Sequence, residues 1–238
     1  MPTPEFSDPR QVVIYDAVNS YEPGTQSDFY LGLAEEVSAE TVVDLGCGTG
    51  IITLEFASRS YRVIGVDPSP VMLEVALQKP GADAVEWVQG GAGQLGNPGA
   101  DLVIMSGHVA QFILKDDDWL EALVGVNEAL RPGGYLAFES RDPRAREWKR
   151  WIGRKRTIPD SPYGPIESWT EVTSVDAVLF TRSAIDVSCR VMRNWFHPSP
   201  FGSAAKSCSD SLSPRLGSPS SMSLVTGIGD RRVRTSGS

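Results

Sequence analysis

From residue 26 to residue 140 the chain switches repeatedly between two hydrophobic periods. Phe29, Leu33, Ala34 and Val37 recur at helical spacing behind Asp28, a residue type that caps helix N-termini. Short unbroken apolar runs follow at 41–45, 62–66, 85–88, 101–105 and 135–139. Runs of this length with no polar alternation predict strands covered on both faces, as in a parallel sheet. Helical text separates them. Ser69-Pro70 opens one helix as cap and first-turn residue, and Lys79-Pro80-Gly81 closes it. Trp119, Leu120, Leu123, Val126 and Leu130 mark another, behind the acids Asp116, Asp117 and Asp118, which suit a positive helix N-terminus. Arg131-Pro132-Gly133-Gly134 reads as a turn into the fifth strand. The expected architecture is α/β, a doubly wound, mostly parallel sheet.

Past Asp142 the pattern changes. REWKRWIGRKR is basic and tryptophan-bearing, and IESWTEVTSVDAVLF alternates as antiparallel strands do. Three segments follow from this: a core at 1–140, a small antiparallel cover at 141–190, and an irregular tail at 191–238 in which Ser, Pro and Gly dominate.

Charge sharpens the division. Residues 1–140 hold 6 Lys and Arg against 21 Asp and Glu, whereas residues 141–238 hold 16 against 9. The net charge of -8 argues against a nucleic-acid partner, which a basic footprint would announce. No apolar run approaches a membrane span, and MPTPEFSDPR lacks the layout of a secretory signal, so the expected compartment is the cytoplasm. Cys47, Cys189 and Cys208 are odd in number and show no CxxC spacing, which suggests reduced thiols and no metal site.

The densest candidate chemistry is VVDLGCGTG at 42–50. A strand ending in Asp44 and turning through Gly46, Gly48 and Gly50 into a helix brings backbone against a ligand. The spacing G-x-G-x-G departs from the dinucleotide fingerprint G-x-G-x-x-G. Asp44 would repel a pyrophosphate and suits a ligand with a positive charge. In VIGVDPSPVML the second strand ends in Asp67, whose carboxylate can accept both hydroxyls of a ribose. The ligand then has a ribose and a cationic end.

VVDLGCGTG paired with VIGVDPSP resembles the class I, Rossmann-like S-adenosylmethionine-dependent methyltransferases over roughly residues 10–185. The resemblance implies that Gly46, Gly48 and Gly50, with Cys47 between them, line the methionine and ribose part of S-adenosylmethionine. It implies further that Asp44 orients the ammonium group, Asp67 binds the ribose, and Met72 or Pro68 flanks the adenine. Where the family carries an acid after the third strand this chain reads Gln89-Gly90-Gly91-Ala92, which leaves the adenine to backbone and apolar contacts. Ser106-Gly107-His108 matches the place where the family's backbone meets the methionine end and the substrate enters. Tyr15 resembles an N-terminal tyrosine that closes over the cofactor.

The implied reaction is methyl transfer to a small-molecule acceptor, which needs proximity and a dry site more than obligatory side chains. If the acceptor is a hydroxyl, His108 is the best-placed base, against the plainer reading that it lines the pocket. Cys47 reads as a small packing residue. Trp148 and Trp151 read as packing the cover, with the nearby Lys and Arg solvated. Glu139 and Asp142 sit at the mouth of the fifth strand, either to meet substrate or to cap a helix. Two other functions stay open: a nucleotide-dependent oxidoreductase, and a cofactor-binding or interaction protein without turnover. Oligomeric state is not legible.

The tail also leaves two readings. It is either a natural extension too rich in Ser and Pro to pack, or a normal ending in a shifted reading frame. With GC-rich codons, a one-base shift of GSPSSMSLVTGIGDRR allows FTVVDV, one free position, then GDWDRR, and KSCSDSL allows EIVQRL. Gene sequence decides between them. No strand is read after residue 190, and on the shifted-frame reading the sheet lacks its closing hairpin.

Overall fold

The five apolar runs become five parallel strands in a computed structural model, which describes residues 6–19, 26–140, 148–151, 155–158, 164–175, 179–187, 222–227 and 233–236. They are β1 (Thr41–Leu45), β2 (Arg62–Asp67), β3 (Val85–Gln89), β4 (Ala100–Met105) and β5 (Leu130–Ser140). The helices are α1 (Pro9–Val18), α2 (Gln26–Glu36), α3 (Ile51–Ser58), α4 (Pro70–Leu77), α5 (Asp116–Ala129) and α6 (Trp148–Trp151). A three-stranded antiparallel sheet follows, β6 (Lys155–Ile158), β7 (Ile166–Val175) and β8 (Leu179–Val187), in spatial order β6-β7-β8. Last come β9 (Met222–Gly227) and β10 (Val233–Ser236), and the large sheet runs β10-β9-β5-β4-β1-β2-β3.

Successive residues of β1 serve opposite faces, as the strand's period of two requires. Val43 and Leu45 join Ile64, Val66, Val103, Trp119, Val126 and Phe138 on the side covered by α5. Val42 joins Val63, Leu102, Ile104, Tyr30, Leu31 and Phe56 on the side covered by α2 and α3. With both faces packed, few polar residues are tolerated within the strands, and those buried toward their ends stand out. The chain order reverses between β1 and β4, so the loops after them splay apart and leave a crevice at the C-terminal edge of the sheet.

Local chemistry sets several boundaries as expected. Ser69 caps α4, its Oγ accepting the Met72 N–H at 3.3 Å, and Pro70 takes the first helical position. Other details differ. Asp28 lies in the first turn of α2 instead of capping it, because the helix already starts at Gln26. Leu120 faces solvent, and Leu130 opens β5 instead of ending α5. The turn expected at 131–134 is absorbed as an irregularity of the β4–β5 ladder, which pairs Ala100 with Leu130 and then Leu102 with Tyr135. Asp101 staples this end. It accepts the Glu40 and Thr41 N–H groups at 2.8 Å each and pairs with Arg131.

Gly125 of α5 packs directly on the turn after β3, where a Cβ would come 2.6 Å from the Ala92 carbonyl carbon. Only a glycine lets the helix lie this close.

The largest departure from expectation is in the tail. β9 pairs antiparallel with β5, Phe138 opposite Leu224 and Ala137 opposite Val225, and β10 pairs with β9. The expectation of no strand after residue 190 is corrected there. Leu224, Val225 and Thr226 carry strand preference that the surrounding Ser, Pro and Gly hide, and the β5 edge supplies a template for it. The rest of the tail, including KSCSDSL and the cysteines 189 and 208, lies outside the described residues, as do Asp142 and the side chains of Trp148 and Trp151.

Candidate cofactor and acceptor site

The glycine loop leaves β1 at Gly46 and is fastened to β2. The Gly46 and Cys47 N–H groups both donate to the Val66 carbonyl, at 2.7 and 3.0 Å. Gly46, Gly48 and Gly50 all have positive φ, at 83°, 54° and 77°. The space beside them separates their tasks. A Cβ on Gly46 would meet Val109 Cγ2 at 2.4 Å, and one on Gly50 would meet Trp87 Cη2 at 2.6 Å. At Gly48 it would meet nothing within 4 Å. Gly46 and Gly50 are therefore glycine because protein fills the room beside them, and Gly48 opens the loop to a ligand.

Two carboxylates flank that opening. Asp67, at the end of β2, accepts the Gly48 N–H through Oδ2 and the Ser69 N–H through Oδ1, both at 2.8 Å. Burial pushes its carboxyl up, while the Ser69 and Gly48 N–H groups pull it back. Each oxygen keeps capacity for one more donor, as a ribose diol would require. Asp44 is fully buried. Its Oδ2 accepts the Thr53 hydroxyl at 2.6 Å, and its Oδ1 has no hydrogen-bond partner among the described residues. Burial pushes Asp44 up to about 7; the Thr53 hydroxyl opposes that shift and the Asp67 charge adds to it. A buried acceptor left unpaired is costly, and a donor with positive charge is what it lacks. These residues fit S-adenosylmethionine: Asp44 its ammonium, Asp67 its ribose, Gly48 its close approach.

The remaining residues read from the sequence are distributed around this cradle. Pro68 is exposed beside Asp67, whereas Met72 is on the buried face of α4, so Pro68 is the one of the pair left open to solvent. Gly91 donates its N–H to Gln94 Oε1 at 2.7 Å, and Ala92 is buried against α5. Cys47 is buried, and burial together with the Asp44 and Asp67 charges pushes its thiol well up, which leaves it no nucleophilic character at neutral pH.

Tyr15 lies on α1, half-buried, edge-on to Phe6, which in turn meets Phe112. Beside it is a residue the sequence reading passed over. Asp16 accepts the Thr49 hydroxyl at 2.5 Å and pairs with Lys79 Nζ at 2.5 Å, and Ser69 Oγ donates to the Phe6 carbonyl. These bonds strap α1 and the residue before it to the glycine loop and to both ends of α4.

On the other side of the crevice, Ser106, Gly107 and His108 follow β4. Gly107 and His108 both take left-handed backbone, at φ 65° and 66°. The His108 N–H donates to Glu139 Oε1 at 2.9 Å, and its Nδ1 stands 3.6 Å from the same oxygen. Glu139 is fully buried, and its Oε2 accepts the Tyr30 hydroxyl at 2.7 Å. Thr53, Tyr30 and Asp16 were missed in the sequence. For Thr53 a signal existed, a lone hydroxyl in the apolar text IITLEF at the start of α3.

A doubly wound sheet with this cradle at its switch point defines an S-adenosylmethionine-binding α/β fold. Residues 42–134 match the family described as a methyltransferase domain. An uncharacterized methyltransferase of Mycobacterium bovis is 30% identical over 190 residues, 68% of this chain and 72% of that protein. The chain belongs to the class I S-adenosylmethionine-dependent methyltransferase family. The cypemycin N-terminal methyltransferase of a Streptomyces species is 29% identical over 160 residues, 66% of this chain and 64% of its own length. Against other curated relatives the chain spans about half their length. Among solved structures, an amino pentose methyltransferase from Micromonospora echinaspora superposes with a TM-score of 0.63 at 20% identity, over 82% of this chain and 86% of that one, which is a likeness of fold.

Proposed function

We propose that this chain transfers a methyl group from S-adenosylmethionine to a small-molecule acceptor. The observation that carries the reading is the unpaired, fully buried Asp44 Oδ1 beside a glycine loop with open space at Gly48. Asp44 would hold the ammonium, Gly46 and Gly48 the methionine portion, Asp67 the ribose, and Pro68 with Ala92 the adenine. Ser106 and Gly107 would border the methionine end, and Tyr15 would close over it from α1. Bound there, the cofactor supplies an electrophilic methyl group on a good leaving group, so the protein's share is to orient, to exclude water and to take up a proton. His108 would receive that proton from a hydroxyl or amine acceptor. Residues 141–190 would cover the acceptor.

No helix among the described residues is long and apolar enough to cross a membrane, which accords with a cytoplasmic enzyme acting on a diffusible acceptor. The similarity to a cypemycin N-terminal methyltransferase and to an amino pentose methyltransferase supports a small-molecule acceptor. Calorimetry with S-adenosylmethionine, S-adenosylhomocysteine and a nicotinamide dinucleotide tests the cofactor. Binding of the first two alone is expected, and folded protein that binds neither sinks the reading. Transfer of labelled methyl to fractionated acceptor pools then separates an enzyme from a protein that only binds.

A further inference from the structure

Glu139 is the one fully buried carboxylate that the cofactor reading leaves without a ligand to hold. We propose that Glu139 is a positioning residue, braced by Tyr30, that holds the His108 turn through its backbone N–H and sets its carboxylate beside the ring, with His108 as the group receiving the proton an acceptor sheds on methylation. This rests on the methyltransferase reading, with an acceptor that loses a proton from oxygen or nitrogen, and adds to it the residue that positions the proton-receiving group.

The geometry divides the carboxylate between two tasks. Oε2 is fixed by the hydroxyl of Tyr30, itself fully buried on α2. Burial and the Glu139 charge push the Tyr30 hydroxyl far above its ordinary range, so it remains a donor. Oε1 takes the His108 N–H at 2.9 Å and faces Nδ1 at 3.6 Å. His108 also pays for its place, since a side chain other than glycine resists left-handed backbone. A turn with no task for the imidazole would be served better by glycine or asparagine. The side chain is one-fifth exposed.

A carboxylate on the Nδ1 side favours the tautomer that carries its proton there, in which Nε2 is the basic nitrogen. When the acceptor's electron pair bonds to the methyl carbon, the carbon–sulfur pair stays with sulfur. The acceptor's proton passes to Nε2 and from there to water. The imidazolium formed meanwhile is balanced by Glu139. Among the described residues, the ionisable groups gathered on Glu139 include His108 from the loop after β4 and Tyr30 from α2, with the Asp44 charge reaching Tyr30 from β1.

The chain has only two histidines, His108 and His197, so ring-proton NMR across pH 5–9 on the full-length protein resolves both, with H108Q giving the assignment. In E139Q, where the amide can still bond both neighbours, His108 is expected to titrate at lower pH than in wild type. E139D, which withdraws the charge by one methylene, should give a smaller shift in the same direction. S-adenosylhomocysteine affinity by calorimetry should stay within about twofold, since no cofactor contact is removed. With an acceptor from the transfer assay, kcat should fall about 100-fold in E139Q and its acid limb should move to lower pH. An unchanged His108 titration in E139Q overturns the proposal and leaves Glu139 a structural brace. If E139Q does not fold, an unchanged titration in E139D does the same. Folded wild-type protein that binds no S-adenosylhomocysteine sinks instead the methyltransferase reading.

Discussion

Asp44 at the end of β1 and Glu139 near the end of β5 are equally hidden from solvent, and the fold treats them in opposite ways. Both oxygens of Glu139 are met by protein, one by Tyr30 and the other by the His108 N–H. Asp44 has one oxygen met by Thr53 and the other left bare. Leaving a buried acceptor unsatisfied costs about 1–3 kcal/mol, and at Asp44 the fold carries that cost beside the glycine loop. A satisfied acid organises the protein; an unsatisfied one awaits a ligand.

The sharpest way to break this contrast is Asp44→Asn. It removes the charge that a cationic ligand would meet, and S-adenosylmethionine affinity measured by calorimetry is expected to fall about 100-fold. The melting temperature at pH 8 should hold or rise, because the substitution relieves a buried charge. A variant that binds normally, or that loses stability along with affinity, would move Asp44 into the same category as Glu139.

The loop glycines come next. Gly46→Ala and Gly50→Ala drive a Cβ into Val109 and Trp87 and should each cost about 2 kcal/mol in denaturant unfolding. Gly48→Ala meets open space and should cost only the roughly 1 kcal/mol of left-handed backbone, while weakening cofactor binding by about tenfold. Equal stability losses at all three positions would erase the distinction between room filled by protein and room left for a ligand.

The pH dependence follows from Asp44, pushed up to about 7 in the ligand-free fold. Its folded value lies above its unfolded one, so the fold gains stability from this group as pH falls from 7 toward 4, and loses that gain as pH rises through 7. Binding of a cation favours the ionised form. S-adenosylmethionine should therefore bind about tenfold more weakly at pH 6 than at pH 8 and release close to one proton at pH 6. Calorimetry in buffers of different ionisation enthalpy reads that proton. The smallest effect is expected at Asp16→Asn, which loosens the α1 strap to Thr49 and Lys79 and should weaken binding about threefold.

What the sequence disclosed follows the range of the interactions involved. The limits of β1 and the Ser69-Pro70 start of α4 were legible because apolar runs, a cap and a proline act within a few residues. Asp44 and Asp67 were legible because a strand end and a glycine loop fix their place locally. Tyr30 bonding Glu139 spans 109 residues and Asp16 bonding Thr49 spans 33, and no local period encodes either. Glu139 drew notice only as a strand-end acid, because its task depends on α2 and on the loop after β4. The pairing of β9 with β5 was hidden for the same reason: six residues of weak strand text take their order from an edge some eighty positions earlier.

Gly125 has a consequence for motion. With no side chain between them, α5 and the Ala92 turn cannot slide independently, so the wall proposed to flank the adenine should move with a fourteen-residue helix instead of as a free loop. Backbone order parameters at Ala92–Gln94 should match those of α5, near 0.85, with or without ligand. On the proposed reading the width of the adenine end would be preset, and closure over a ligand would fall to α1.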